Sequence, residues 1–99
     1  MSNQLFMQAK KKYFKKLDQY VAIVARVHGG SHPEFHHVRE VYDLIVEKNK
    51  AAEGEPVGLD TEFQRLRQIT DDYSVPIDVC ESYEEVYKML AELDQAYHS

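Results

Sequence analysis

Apolar residues recur every three to four positions along most of this chain, which is the pattern of amphipathic α-helices. The first helix is predicted from about Asn3 to His28. Its core-facing side carries Phe6, Ala9, Tyr13, Leu17, Tyr20, Val21, Val24, Val27 and His28. Gly29 and Gly30 follow, and we expect them to end the helix because glycine adopts the left-handed cap conformation at little cost.

A second helix is predicted to begin in the segment after the two glycines. Ser31, with Glu34 three residues later, fits a capping box, and Pro33 suits a first helical turn. The helix should run to about Lys50, and residues 51–58 are typical of a loop. Its apolar positions are Phe35, Val38, Val41, Tyr42, Leu44 and Ile45.

Two further helices complete the pattern. The third should open near residues 60–61, with Gln64 completing a capping box, and it should break over residues 71–76. Its apolar stripe is Phe63, Leu66, Ile69, Thr70 and Tyr73. The fourth should begin at Ser82, with Glu85 as the box partner. One face of that helix carries Tyr83, Val86, Tyr87, Leu90, Leu93 and Tyr97.

Four amphipathic helices joined by short loops predict an all-α, up-down bundle that forms a single domain over residues 1–99. The first helix is longer than the others, and its surplus carries Leu5, Phe6 and Met7. Exposed apolar side chains are commonly buried by association. We therefore expect this end either to fray or, in the favoured alternative, to pair with a second copy of the chain.

Charge is distributed unevenly along the 99 residues. Residues 1–30 hold six Lys or Arg and one Asp, whereas residues 31–99 hold six basic and sixteen acidic residues. The outer face of the first helix carries Lys11, Lys12, Lys15 and Lys16. These lysines either solvate the helix beside acidic neighbours or form an interaction surface for an anionic partner. An acidic body repels nucleic acid, so a protein is the favoured partner.

Neither a membrane span nor an export signal is predicted. No apolar run approaches the roughly 20 residues that a bilayer span needs. The N-terminus lacks the apolar stretch that precedes a signal-peptide cleavage site. We expect a soluble, cytoplasmic protein without membrane contact.

The histidines are the main candidates for metal chemistry. His32 and His36 are spaced i, i+4, but this pair should face water. The Glu34-x-x-His37 spacing is the one that ferritin-like di-iron bundles use, although such bundles need two pairs and two further Glu, all facing inward. His28 lies on the inner face, and the third helix offers no inward acid. His98, after Asp94, lies at a chain end that should fray. The candidate ligands are His28, His32, Glu34, His37 and His98, and the apolar interior favours a protein without a cofactor.

Cys80 is the only cysteine in the sequence, so the chain can form no internal disulfide. Its spacing in the sequence places no histidine beside it, and we interpret it as a small residue at the start of a helix. The sequence contains no phosphate-binding loop, nucleophile elbow or zinc signature. No catalytic residue is predicted, and a protein without enzymatic activity is favoured.

Two stretches carry a family resemblance. Residues 24–34 read VARVHGGSHPE, and residues 66–70 read LRQIT. The second stretch continues through Pro76, Cys80, Ser82, Tyr83, Tyr87 and the segment LAELD at residues 90–94. In order and spacing they resemble motifs of the iron–sulfur cluster repair di-iron proteins, the repair-of-iron-centres family, over roughly residues 21–98.

The resemblance implies a hemerythrin-like bundle that acts in iron–sulfur cluster repair under nitrosative or oxidative stress. In that family, His and Glu from four helices hold two irons. Here the first-helix histidine would fall near residues 10–12 and the third-helix histidine near Pro56, but neither region contains histidine. The second-helix ligand segment is replaced by residues 47–54, and the chain stops at residue 99, before the last ligands. His28, His32 and His98 remain as shared positions.

The resemblance therefore implies a shortened relative that keeps the fold and lacks most iron ligands. It would be a stress-linked accessory acting through protein contacts, or through an iron site completed between chains. The alternative is a non-enzymatic, dimerising interaction module that uses the lysine face of its first helix.

Overall fold

The computed structural model describes residues 4–52 and 58–98. The chain forms four helices: α1 (Gln4–His28), α2 (Glu34–Ala52), α3 (Asp60–Thr70) and α4 (Glu81–Tyr97). No strand occurs within the described ranges. The prediction of an all-α protein with four helices is confirmed.

Contacts between helix ends show the up-down arrangement. Phe6, near the start of α1, packs edge-on against Tyr97 at the end of α4, with ring centroids 5.3 Å apart. Lys48, near the end of α2, forms an ion pair with Glu62 in the first turn of α3, with Nζ to Oε2 at 2.8 Å. α1 also packs against α2. Successive helices therefore run in opposite directions, and the end of α1 lies beside the start of α4.

The core lies along the inward stripes of all four helices. Its buried apolar members are Phe6, Leu17, Val21, Val24, Ala25, Phe35, Val38, Val41, Tyr42, Ile45, Leu59, Phe63, Leu66, Tyr83, Val86, Tyr87, Met89, Leu90 and Leu93. Two predicted core positions are wrong, because Val27 is 62% exposed and Leu44 is 37% exposed. At about 100° per residue, Val27 lies about 95° and Leu44 about 125° around its helix from the centre of the buried stripe.

The start of α1 is part of the core and does not overhang the bundle. Phe6 is 5% exposed and also packs edge-on against Phe63 of α3, at 6.1 Å between ring centroids. The prediction that Phe6 needs a second copy to be buried is wrong, because α4 reaches this end of the bundle and covers it with Tyr97. Leu5 and Met7 remain 56% and 43% exposed.

α3 and α4 begin without the side-chain caps that the sequence predicts. Leu59 and Cys80 are the N-cap residues of α3 and α4, and neither makes a side-chain cap hydrogen bond. The predicted start of the fourth helix at Ser82 is therefore wrong by one residue. For α3, a tertiary contact takes the place of a cap, since the Leu59 N–H donates to the Tyr97 hydroxyl at 2.8 Å.

α3 ends where acidic turn residues were predicted to break it. Asp71, Asp72 and Tyr73 adopt φ angles of 51°, 62° and 64°. Left-handed backbone is unusual in non-glycine residues, and Asp tolerates it better than most. The Asp72 N–H donates to the Arg67 carbonyl at 2.8 Å, and the Tyr73 N–H donates to the Thr70 hydroxyl, also at 2.8 Å.

The junction between α1 and α2 needs glycine for a steric reason. Neither Gly29 nor Gly30 adopts the left-handed φ that was predicted. A Cβ on Gly29 would overlap the Ala25 carbonyl oxygen and would lie 2.5 Å from His36 Nε2, whereas a Cβ on Gly30 would meet nothing within 4 Å. Gly29, and not Gly30, is therefore the position where the lack of a side chain lets the junction pack closely against Ala25 and His36.

We expect Gly29→Ala to destabilise the protein by about 1–3 kcal/mol, because the backbone oxygen of Ala25 cannot move aside as a flexible side chain can. Gly30→Ala is the matched control and should change the free energy of unfolding by less than about 1 kcal/mol. Urea unfolding followed by circular dichroism measures both variants. Equal stability of the two would contradict the steric role of Gly29.

Candidate functional site

The end of α1 and the start of α4 bring a histidine and the cysteine together. His28 is the last residue of α1, and Cys80 is the exposed N-cap residue of α4. His28 Nε2 lies 3.0 Å from Cys80 Sγ, although the two residues are 52 positions apart. The expectation that no histidine lies near Cys80 is wrong, because antiparallel packing of α1 and α4 places these two helix ends side by side.

A second histidine beside this pair contacts two carboxylates. His32 lies between α1 and α2, and Asp78 lies in the connection before α4. His32 Nε2 is 3.1 Å from Asp78 Oδ1, and His32 Nδ1 is 3.3 Å from Glu34 Oε1. The His32 side chain is only 14% exposed. These contacts connect the α1–α2 junction to the segment that precedes α4.

Tyr83 is a fully buried aromatic residue that contacts both imidazoles. Its ring packs edge-on against His28 and His32, with centroid distances of 5.6 and 5.5 Å. Its hydroxyl lies 3.1 Å from that of Tyr87. Burial raises the pKa of the Tyr83 hydroxyl above its ordinary value, and so do the Tyr87 hydrogen bond and the nearby Glu34 and Asp78 carboxylates. Tyr83 therefore stays protonated and serves as a packing surface.

We call this group of six side chains the His–Cys cluster: His28, His32, Glu34, Asp78, Cys80 and Tyr83. It joins a nucleophile, two imidazoles and two carboxylates at one end of the bundle. Sequence reasoning found three of its members and missed the pairing with Cys80. The signal that could have found the pairing is topological, because an up-down bundle places the end of its first helix beside the start of its fourth.

The other predicted ligand residues lie elsewhere. His37 is on the outer surface, with Nδ1 3.7 Å from Glu40 Oε2. His98 lies at the opposite end of α4, where its Nδ1 is 2.8 Å from Asp94 Oδ1 and its Nε2 is 3.5 Å from Asp60 Oδ1. Since α4 has 17 residues, about 25 Å of helix separates His98 from the cluster.

The described residues do not fit the di-iron centre of the family that the sequence resembles. Across residues 4–52 and 58–98, no group of three His, Cys, Asp or Glu side chains could hold a metal ion. His32 already has a carboxylate at each ring nitrogen, and His28 contacts the thiol. Pro56, near which the third-helix ligand would fall, lies outside the described residues.

Sequence reasoning also missed inward-facing acids. Glu62 of α3 is 5% exposed, and its Oε1 is buried without a hydrogen-bond partner among the described residues. Asp94 of α4 is 7% exposed and accepts a 2.7 Å hydrogen bond from the Tyr73 hydroxyl. Arg67 Nε lies 3.1 Å from the same carboxylate, as an ion pair without an aligned hydrogen bond. The end of α4 is therefore packed, and the expectation that it frays is wrong.

The four lysines of the predicted interaction surface, Lys11, Lys12, Lys15 and Lys16, are all exposed on α1. Two of them lie over aromatic rings of the same helix. Lys12 Nζ is 5.1 Å from the centre of the Tyr13 ring, and Lys16 Nζ is 5.4 Å from that of Tyr20. Such cation–π contacts at exposed sites are weak because water screens them. They keep the charged ends on the outer face of α1.

Comparison with protein-family models, curated proteins and solved structures finds no match to this chain. Within the described ranges, no helix has the length and apolar character needed to cross a membrane. The resemblance to the repair family stays a prediction that rests on residues 24–34 and 66–94. Those two stretches supply all six members of the His–Cys cluster.

Proposed function

We propose that this chain is a shortened, hemerythrin-related accessory in iron–sulfur cluster repair under nitrosative or oxidative stress, without a complete di-iron site in one subunit. The observation that carries the proposal is the convergence of two motif stretches on one cluster. His28 and His32 come from the first stretch, and Cys80 and Tyr83 come from the second.

This convergence supports the proposal because the motif residues that meet here are not needed to form a helical bundle. A bundle core needs apolar residues at helical spacing, but it does not need His28 beside Cys80 or His32 between two carboxylates. Binding residues are found disproportionately on loops and connections that a rigid scaffold positions, and His32 and Asp78 lie in such connections.

The accessory would act through this end of the bundle. An exposed thiol, two imidazoles and two carboxylates can contact a partner protein or a metal ion in transit. A resident iron would need further ligands from a second chain, since three grouped ligands are lacking in the described part of this one. We therefore propose that the accessory contacts a partner protein or passes on a metal ion, and that no iron–sulfur chemistry takes place on the chain itself.

A second candidate function is a dimerising interaction module. Two exposed apolar side chains near the start of α1, Leu5 and Met7, lie close in sequence to the exposed lysine face. Apolar residues that are flanked by charge are common at protein interfaces. This module would use α1, whereas the repair accessory would use the His–Cys cluster at the other end of that helix.

One experiment separates the two functions. The protein is purified without oxygen and offered ferrous iron, and iron per chain and mass in solution are measured. It is then added, with ferrous iron, to a dehydratase whose iron–sulfur cluster has been damaged by peroxide. The repair accessory should bind less than one iron per chain and should speed recovery of the dehydratase over iron alone. His32→Asn should lose this effect, and the matched surface variant His37→Asn should keep it.

Two results would overturn the proposal. Two irons bound per chain would show that the ligand set is complete. No effect on recovery, together with a dimeric mass, would leave the interaction module as the function.

A further inference from the structure

We propose that Cys80 and His28 form a reactive thiol–imidazole pair that undergoes exchange with small cationic or neutral disulfides. The proposal does not depend on the repair function. It rests on the 3.0 Å contact between His28 Nε2 and Cys80 Sγ, on the exposure of the thiol, and on the charges around it.

The geometry is that of a nucleophile with its general base. A base that accepts a proton from a nucleophile has to lie within hydrogen-bond distance of it. The neutral His28 tautomer with its proton on Nδ1 presents Nε2 as an acceptor to the Cys80 thiol. The ring is held in place edge-on by Tyr83 of α4, and the His32 ring centroid lies 6.5 Å away.

The start of α4 adds a second favourable interaction. Cys80 is the N-cap residue, and it precedes the first N–H groups of a 17-residue helix. Those groups carry a partial positive charge that stabilises a negative sulfur. Negative charge that appears on Sγ when the thiol proton passes to His28 is therefore met by the helix N-terminus on one side and by protonated His28 on the other.

The exchange balances without an external oxidant. Cys80 Sγ attacks one sulfur of the disulfide, the reagent's S–S bond breaks, and a new S–S bond forms to Cys80. The thiol proton passes to His28 Nε2 and then to the departing thiolate. Cys80 is oxidised to the mixed disulfide while half of the reagent is reduced to a thiol. With a single cysteine in the chain, no internal thiol can release the adduct, which should accumulate at one per chain.

The surrounding charges select the reagent. Residues 76–87 contain four carboxylates and no Lys or Arg. Asp78 lies two residues before Cys80, Glu81 directly follows it, and Glu34 contacts His32. Carboxylates repel an anionic disulfide and attract a cationic one. For each reagent, the rate with the native chain is divided by the rate with the urea-unfolded chain. This ratio should therefore be larger for cystamine, which is cationic, than for the anionic aryl disulfide DTNB.

The test is the rate of mixed-disulfide formation with cystamine, measured by mass spectrometry against pH. At neutral pH, the native chain should react at least about tenfold faster than the unfolded chain. His28→Gln should react more slowly than the native chain at neutral pH, and its rate should approach the native rate near pH 9.5, where a free thiol ionises without a base. His37→Gln, on the outer surface, should match the native rate.

Three results would overturn the proposal: equal rates for native and unfolded chains, a His28→Gln rate equal to the native rate at neutral pH, or a His28→Gln rate that stays low at alkaline pH. The last would show that His28 only keeps the thiol accessible. The comparison of native with unfolded chain uses no variant, so it tests the pair even if His28→Gln fails to fold. A preference for DTNB would overturn the charge selection.

Discussion

Val24→Asp should abolish cooperative folding of this protein. Val24 is fully buried on α1, in the stripe that packs against α4. A carboxylate placed there has to remain charged without a partner or take up a proton, and either outcome costs several kcal/mol. A domain of this size has only about 5–15 kcal/mol of stability in total. The variant should therefore lose its helical circular dichroism signal or its cooperative thermal transition.

Val27→Asp is the matched control for this substitution. It introduces the same side chain one turn later in the same helix, at a position that is 62% exposed. We expect the control to unfold within about 0.5 kcal/mol of the parent chain. A Val24→Asp variant as stable as Val27→Asp would show that the interior tolerates charge, and it would refute a tightly packed apolar core along α1.

Alkaline pH should unfold the protein cooperatively through three buried tyrosines and the half-buried Tyr73. Burial is the first cause that raises the pKa values of Tyr42, Tyr73, Tyr83 and Tyr87. Carboxylate partners add to the effect, since Tyr42 donates to Asp18 and Tyr73 donates to Asp94, each at 2.7 Å. Below about pH 10 these hydroxyls are protonated in both the folded and the unfolded state, so their contribution to stability is fully present.

Above about pH 10 the unfolded chain loses these protons while the folded chain keeps them. The free energy of unfolding should then fall by up to about 1.4 kcal/mol per pH unit for each tyrosine. Urea unfolding at several pH values measures this slope, and near-ultraviolet absorbance measures the phenolates. The Tyr42→Phe variant should show a shallower slope, because one titrating group is removed. Ionisation of these four tyrosines in a chain that keeps its helical signal would contradict their burial.

These two predictions concern the same interior that separates the two ends of the molecule. One end holds the His–Cys cluster, and the other holds His98 with Asp94 and Asp60. The described interior between them is mostly aromatic and aliphatic, and its buried acids are Glu62 and Asp94. Among the described residues, no group of three His, Cys, Asp or Glu side chains could hold a metal ion. The contact between the thiol and the imidazole lies at the cluster end.

The number, order and rough length of the helices could be predicted from the sequence alone. The apolar period locates α1 to α4 within a few residues, because a helix that buries one face needs apolar side chains at that spacing. Short connections between such helices also determine the up-down order. The pattern was less reliable at the edges of each stripe, where Val27 and Leu44 are exposed.

The helix starts and the site were decided by tertiary contacts. Leu59 begins α3 with help from the Tyr97 hydroxyl, which is 38 residues away in the chain. Cys80 meets His28 across 52 residues, and His32 meets Asp78 across 46. Local spacing has no information on such pairs, so the sequence identified His28, His32 and Glu34 only as candidates.

The sequence by itself thus determined a four-helix bundle with a lysine-rich first helix, because periodicity and charge are local properties of the chain. Only the tertiary structure decided which polar residues meet. The antiparallel packing of α1 against α4 places His28 beside the thiol and leaves His98 about 25 Å away. Contacts between distant segments depend on how whole helices pack, and this packing turns scattered histidines into one cluster.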